Sequence, residues 1–167
     1  MGGPRLPRTV LPDDPALLAY LAGIIDGEGS INITSTKAPN SRNVSHALRM
    51  SVTNTSEALM VWLIDTFGSG RQMSRNTNPG KWATRYDWVV YGHQAEVVLR
   101  AVLPYLVIKR DQARLALEFR GIGRTQKPYL HIRGGAPALD PDVVIEREDI
   151  KRRLSVLNRR GPISNTG

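Results

Sequence analysis

The chain has no cysteine, only two phenylalanines and three histidines in 167 residues. The missing thiols exclude disulfides, thiolate metal sites and cysteine nucleophiles, and they fit a reducing compartment. His46, His93 and His131 stand far apart, without the spacing of a metal site. No apolar run is long enough to span a bilayer. The N-terminal stretch lacks the apolar region of a secretory signal, and Leu6 breaks the myristoylation pattern. The expectation is an intracellular, non-secreted protein with no membrane partner. Acidic residues are also few: 15 Asp and Glu face 23 Lys and Arg, a net charge of +8. A basic balance of this size suits a polyanionic partner, although generic surface charge gives the same sum.

The length suits one domain with its own core. We expect a leader rich in proline and glycine over residues 1–13, a folded domain over 14–160 and a loose tail over 161–167. The domain is organised around Leu18–Ser30, LAYLAGIIDGEGS. Asp14 is placed to cap a helix and Pro15 fits its first turn, giving a helix over roughly Pro15–Asp26. Leu17, Leu21, Ile24 and Ile25 form an apolar side suited to the chain's own core. Ala19, Gly23 and Gly27 recur every four residues and stack on another face, where a second backbone can approach closely. The cheapest partner for such a stripe is the same stripe on another copy, so a twofold dimer is expected, with Ala19, Gly23 and Gly27 at its interface. A calcium loop is excluded: an EF-hand needs Gly at its sixth position and Glu at its twelfth, where this chain has Ile31 and Lys37.

After Ser30 the period changes to two. Ile31 and Ile33 alternate with polar residues, and beyond a polar tip at 37–43, Leu48, Met50 and Val52 do the same. Asn54-Thr55-Ser56-Glu57 resembles a helix start with Asn54 as cap, followed by Leu59, Trp62, Leu63 and Phe67 and closed by Gly68. A second hairpin pairs Arg71–Arg75 with Trp82–Tyr91. Helical patterns follow over Gln94–Leu103 (Val97, Val98, Ala101 and Val102 inward) and Tyr105–Phe119. A connection over 121–142 leads to a basic helix, Ile145–Arg159. The fold class is therefore α+β, a four-stranded antiparallel sheet backed by helices. The sheet's second face offers Asn32, Thr34, Thr36, Asn40, Arg42, Arg49, Ser51, Arg75, Arg85 and Asp87. Amide, hydroxyl and guanidinium groups suit base edges and phosphates, and an ordinary half-exposed sheet is the alternative. Lys37, Arg71, Lys81 and the C-terminal arginines are expected phosphate contacts.

Leu21–Gly29, LAGIIDGEG, resembles the signature of the LAGLIDADG homing endonucleases, and the order of elements matches that family's αββαββα core and saddle-shaped sheet. The resemblance spans about Leu18–Phe119, with one signature and no internal repeat. It implies a homodimeric, site-specific double-strand DNA endonuclease that hydrolyses one phosphodiester per strand in a long pseudo-palindromic target, leaving short 3′ overhangs. It implies catalytic Mg²⁺ on Glu28, with the Gly27 carbonyl as a further ligand. Mn²⁺ would substitute, and Ca²⁺ would bind without supporting cleavage. Asp26 would be structural, tying the helix pair together. Lys109, in Pro104-Tyr105-Leu106-Val107-Ile108-Lys109, resembles the family's basic residue near the scissile phosphate; an exposed helix lysine is the alternative. Asn54 would join the water network or simply cap its helix. Some members have a basic residue four positions later, where this chain has Ala58. The alternatives to cleavage on the same fold are an intron-RNA maturase and a non-cleaving DNA-binding protein.

Overall fold

Asp14 starts helix α1 (Pro15–Glu28) as its sequence requires: its Oδ1 accepts from the Ala16 and Leu17 amides at 2.8 and 3.4 Å. The computed structural model describes residues 11–37, 39, 44–76, 80–122 and 140–159. Asn40 and Arg42, most of the leader, residues 123–139 of the connection, and the tail lie outside the described residues. Leu21, Ala22 and Ile25 of α1 are buried, Leu17 and Ile24 half-buried. The helix runs two residues beyond the expected end, so Glu28 is its last residue rather than a residue past it. Gly29 then turns the chain into β1 (Gly29–Thr36). A Cβ at Gly29 would lie 2.4 Å from the Ile25 carbonyl oxygen, so only glycine fits this close approach.

Strands β1, β2 (Ser45–Asn54), β3 (Arg71–Arg75) and β4 (Arg85–Tyr91) form one antiparallel sheet in the order β1-β2-β4-β3. The two hairpins therefore join through their second strands, with Met50 opposite both Ile31 and Val90. Period two divides the sheet. Ile31, Ile33, Leu48, Met50, Val52, Trp88 and Val90 are buried beneath the helices, and the polar set faces away. The return strand of the second hairpin starts at Arg85, three residues later than expected. Trp82 consequently precedes the strand and is exposed.

Helix α2 (Glu57–Phe67) ends at Gly68 as expected, but Ser56 rather than Asn54 is its cap. Ser56 Oγ accepts from the Leu59 amide, while Asn54 Oδ1 accepts from the Ser56 amide at 2.9 Å and shapes the preceding turn. Helix α3 (Gly92–Val102) begins two residues earlier than expected and buries Ala95, Val98, Leu99 and Val102, a stripe rotated from the expected one. Helix α4 starts only at Arg110 (Arg110–Gly121), so residues 103–109 are a connecting turn and not a helix. The fully buried Leu106 anchors that turn. Glu96, 3% exposed, meets Arg100 and Arg120 at 3.1 Å each and ties α3 to α4.

Helix α5 (Pro141–Arg159) starts four residues earlier than expected and buries Val143, Ile150 and Leu154. It is latched to the first hairpin. The Glu148 carboxylate lies 2.6 Å from the buried His46 ring nitrogen Nε2, and Lys151 Nζ reaches Ser35 Oγ at 2.5 Å. The His46 hydrogen bond, opposed by burial and helped by the Lys151 charge, holds Glu148 below the ordinary carboxylate pKa. No helix among the described residues is long and apolar enough to cross a membrane.

The centre of the core is Trp88, whose indole N–H donates to the Ser69 carbonyl at 2.7 Å. Gly70 lies against that ring with φ at +100°, and a Cβ there would come within 2.1 Å of Trp88 Nε1. Gly70→Ala combines backbone strain with a clash at an immovable ring. It is expected to cost about 3 kcal/mol or more of unfolding free energy, read by urea titration. A loss below about 1 kcal/mol would contradict this packing.

Candidate functional site

The site lies where α1 meets the sheet. Asp26 faces the chain's own connecting turn. Its Oδ2 accepts from the Val107 amide and its Oδ1 from the Lys109 amide, both at 2.8 Å. Lys109 answers with its ammonium, which donates to the Asp26 backbone carbonyl. Lys109 is thus the residue preceding α4, bound back onto the end of α1, and not a lysine on an exposed helix face. The carbonyl end of a helix is electronegative, so a cation is favoured there.

Glu28 follows two residues later and is exposed. Among the described residues, no side chain hydrogen-bonds or pairs with its carboxylate. It lines a recess of about 540 Å³ together with Gly27, Gly29, Thr53, Asn54, Thr55 and Arg85. The donors available there are carboxylate, amide, hydroxyl and main-chain oxygens. That hard set suits Mg²⁺ or Ca²⁺ and lacks the nitrogen and sulfur ligands of a zinc site. Among the described residues no three His, Cys, Asp or Glu side chains gather into a metal-holding group. One chain therefore brings a single carboxylate, which is compatible with Mg²⁺, an ion that keeps several waters and binds substrate phosphates.

A groove of about 710 Å³ runs along the polar face of the sheet. Arg49, Ser51, Arg75, Arg85 and Asp87, all expected to face outward, line it together. Arg49 donates to Ser51 Oγ at 3.1 Å, and Asp87 accepts from Thr53 Oγ1 at 2.5 Å while lying 3.9 Å from Arg75. The Ser51 contact orients Arg49 in the groove, and the Thr53 contact orients Asp87. The groove and the Glu28 recess share Thr53, Thr55 and Arg85, so the two are continuous.

The other sheet residues lie outside the groove lining. Asn32 bonds Ser30 Oγ at 2.6 Å and accepts from Asn158 at 3.1 Å, and Thr34 donates to the Ala47 carbonyl. Thr36, Lys37, Arg71 and Lys81 are exposed. Sequence reasoning missed Ser30, Thr53, Thr55, Trp82 and Ala83 as lining residues. Thr53 shares the strand parity of Arg49 and Ser51 and was findable on that ground. Trp82 was not, because its place depends on where β4 begins. Ala19, Gly23 and Gly27 are exposed along α1, and a Cβ at Gly23 or Gly27 would meet nothing within 4 Å.

A sequence model described as LAGLIDADG endonuclease matches residues 21–105. The DNA endonuclease I-CvuI of Chlorella vulgaris is 28% identical over 109 residues, 63% of this chain and 64% of that relative's length, which is just under two thirds. Solved structures share the fold. The homing endonuclease I-CvuI in complex with its target in the presence of Ca superposes with a TM-score of 0.70 at 21% identity, covering 88% of this chain and 85% of that one. An archaeal intron-encoded homing endonuclease, I-Vdi141I, complexed with DNA, gives 0.67 at 18% identity, covering 87% and 86%. The meganuclease I-SmaMI bound to DNA gives 0.64 at 18% identity, covering 81% of this chain but 43% of that one.

Asp26→Ala removes the acceptor of two backbone amides that have no other described partner. An expected loss of about 2–4 kcal/mol in unfolding free energy follows, with Asp26→Asn losing about half as much, both by urea titration. Two negligible losses would mean that buried Leu106 and the Lys109 bond to the Asp26 backbone carbonyl, which both variants keep, suffice to hold the turn.

Proposed function

This chain belongs to the LAGLIDADG endonuclease family, and we propose that it is a metal-dependent, site-specific DNA endonuclease acting as a homodimer. The observation that carries the reading is the continuity of an arginine-lined groove on the sheet's polar face with a recess holding one unpaired carboxylate, Glu28. A major groove admits a two-stranded ribbon, and guanidinium and hydroxyl groups read base edges there. The net charge of +8 adds attraction to phosphates. Arg49, Ser51, Arg75, Arg85 and Asp87 line the base-reading floor. Asn32, Thr34, Thr36, Lys37, Asn40, Arg42, Arg71 and Lys81 extend the contact along the duplex.

Glu28 and the Gly27 carbonyl would hold Mg²⁺, which when bound neutralises phosphate charge and makes water a stronger nucleophile. Mn²⁺ would replace it, and Ca²⁺ would bind without cleavage. The chain's own groups do the rest. Arg85, shared by groove and recess, orients the phosphodiester. The Lys109 ammonium, held at the end of α1, adds positive charge where the leaving oxygen develops negative charge. Asn54 hydrogen-bonds water in the recess.

Cutting both strands needs two such sites, and a single chain supplies one. The open faces of Gly23 and Gly27 support a second α1 lying against the first, with the two Glu28 residues near the twofold axis. A relative of which this chain covers 43% has room for two units in one polypeptide, which also favours pairing. The dimer contacts would centre on Ala19, Gly23 and Gly27, with Asp26 supporting them from within its own chain.

The test is cleavage of a plasmid carrying a target rebuilt by joining the DNA on either side of the gene. Wild-type protein is expected to cut with Mg²⁺ and not after chelation, and Glu28→Gln to lose about 100-fold or more of the rate while still binding. Metal-independent cutting, or an undiminished Glu28→Gln variant, would overturn the assignment. Binding without any cutting would leave the non-cleaving reading in its place. In sedimentation the protein should run at twice the 18.5 kDa of one chain, and Gly23→Leu should shift it to the monomer. A fully active monomer would contradict the paired-helix arrangement.

A further inference from the structure

Trp82 is 62% exposed at the edge of the groove, the largest side chain so exposed among the described residues. Apart from Trp82 and Ala83, every described residue lining that groove is polar or charged. An indole and a methyl side by side therefore make one apolar patch on a surface otherwise built of donors and acceptors. Lys81 Nζ stands 5.8 Å from the Trp82 ring centroid, so a cation accompanies the ring. Arg75 and Arg85 line the same groove and lie opposite one another on adjacent strands. The strand does not need Trp82: β4 begins at Arg85, and the core aromatic of this hairpin is Trp88.

The apolar feature that a major groove presents is the thymine C5-methyl, and apolar side chains read it where polar ones cannot. We propose that Trp82, with Ala83 beside it, is a specificity-determining residue that packs on thymine methyl groups of the target duplex. This rests on the reading of the groove as the DNA-binding face. It adds an apolar term to recognition by Arg49, Arg75 and Arg85, which by themselves favour guanine. It also predicts that recognition includes a thymine-dependent term with no charge dependence, whereas Lys81 contributes only to phosphate attraction.

The experiment is a cycle of two proteins and two duplexes. Wild type and Trp82→Ala are titrated with the rebuilt target duplex in its thymine form and in a form with deoxyuridine at every thymine, which removes only methyl groups. Wild type is expected to bind the uracil duplex about tenfold more weakly, and Trp82→Ala to bind the thymine duplex about tenfold more weakly. The variant should then distinguish the two duplexes little, with an unchanged dependence on salt, and Trp82→Phe should recover part of the preference. Unaltered circular dichroism of Trp82→Ala, a substitution outside every strand and helix, separates lost contact from lost folding. Equal thymine preference in wild type and Trp82→Ala overturns the inference while leaving the groove as a DNA site. No binding of either duplex by any of the proteins overturns the inference together with the reading on which it rests.

Discussion

The Asp26 carboxylate fixes the relation between the signature helix and the rest of the molecule. By accepting the Val107 and Lys109 amides it satisfies two donors at the start of α4 and anchors the turn to the last coil of α1. Charge-assisted bonds to backbone amides are shorter and stronger than neutral ones. The consequence for chemistry is positional. Lys109 is delivered to the last turn of the helix whose final residue is Glu28, with its ammonium on the Asp26 backbone carbonyl.

The two glycines flanking Glu28 solve different problems. Gly29 is required by the chain itself, since the Ile25 carbonyl occupies the space of a Cβ. Gly27 faces open space and is not required by any contact within the chain. Small size at one position relieves internal crowding, and at the other it leaves room outside. The sheet shows a comparable division. One face is buried beneath the helices, and the other keeps polar groups joined by mutual bonds such as Thr53 to Asp87 and Arg49 to Ser51. An arginine already held, as Arg49 is, loses less side-chain entropy on meeting a polyanion than a free one would.

Alternation at Ile31, Ile33, Leu48, Met50 and Val52 made the sheet legible, because period two leaves only one register with a buried apolar face. Asp14 and Pro15 marked the start of α1, and Gly68 the end of α2, for reasons confined to a few neighbouring residues. The failures are equally specific. Tyr105 and the apolar run after it read as a helix start, but Leu106 is drawn into the core and Asp26 takes the Lys109 amide that such a helix would have bonded to Tyr105. Asn54 and Ser56 are both good caps, and only the path of the strand end decided between them. Trp82 read as strand because aromatics favour strands, yet the pairing of β3 with β4 stops at Arg75 and Arg85.

The amino-acid sequence alone determined the class of fold, the signature helix, the division of the sheet into two faces and the identity of the acid at the helix end. Each of these depends on periodicity or on residues adjacent in the chain. Tertiary structure decided that Asp26 engages its own connecting turn, that Lys109 stands beside the helix end, and that Trp82 borders the groove. Those outcomes depend on which distant donors and apolar surfaces compete for the same space, and local pattern has no access to that competition.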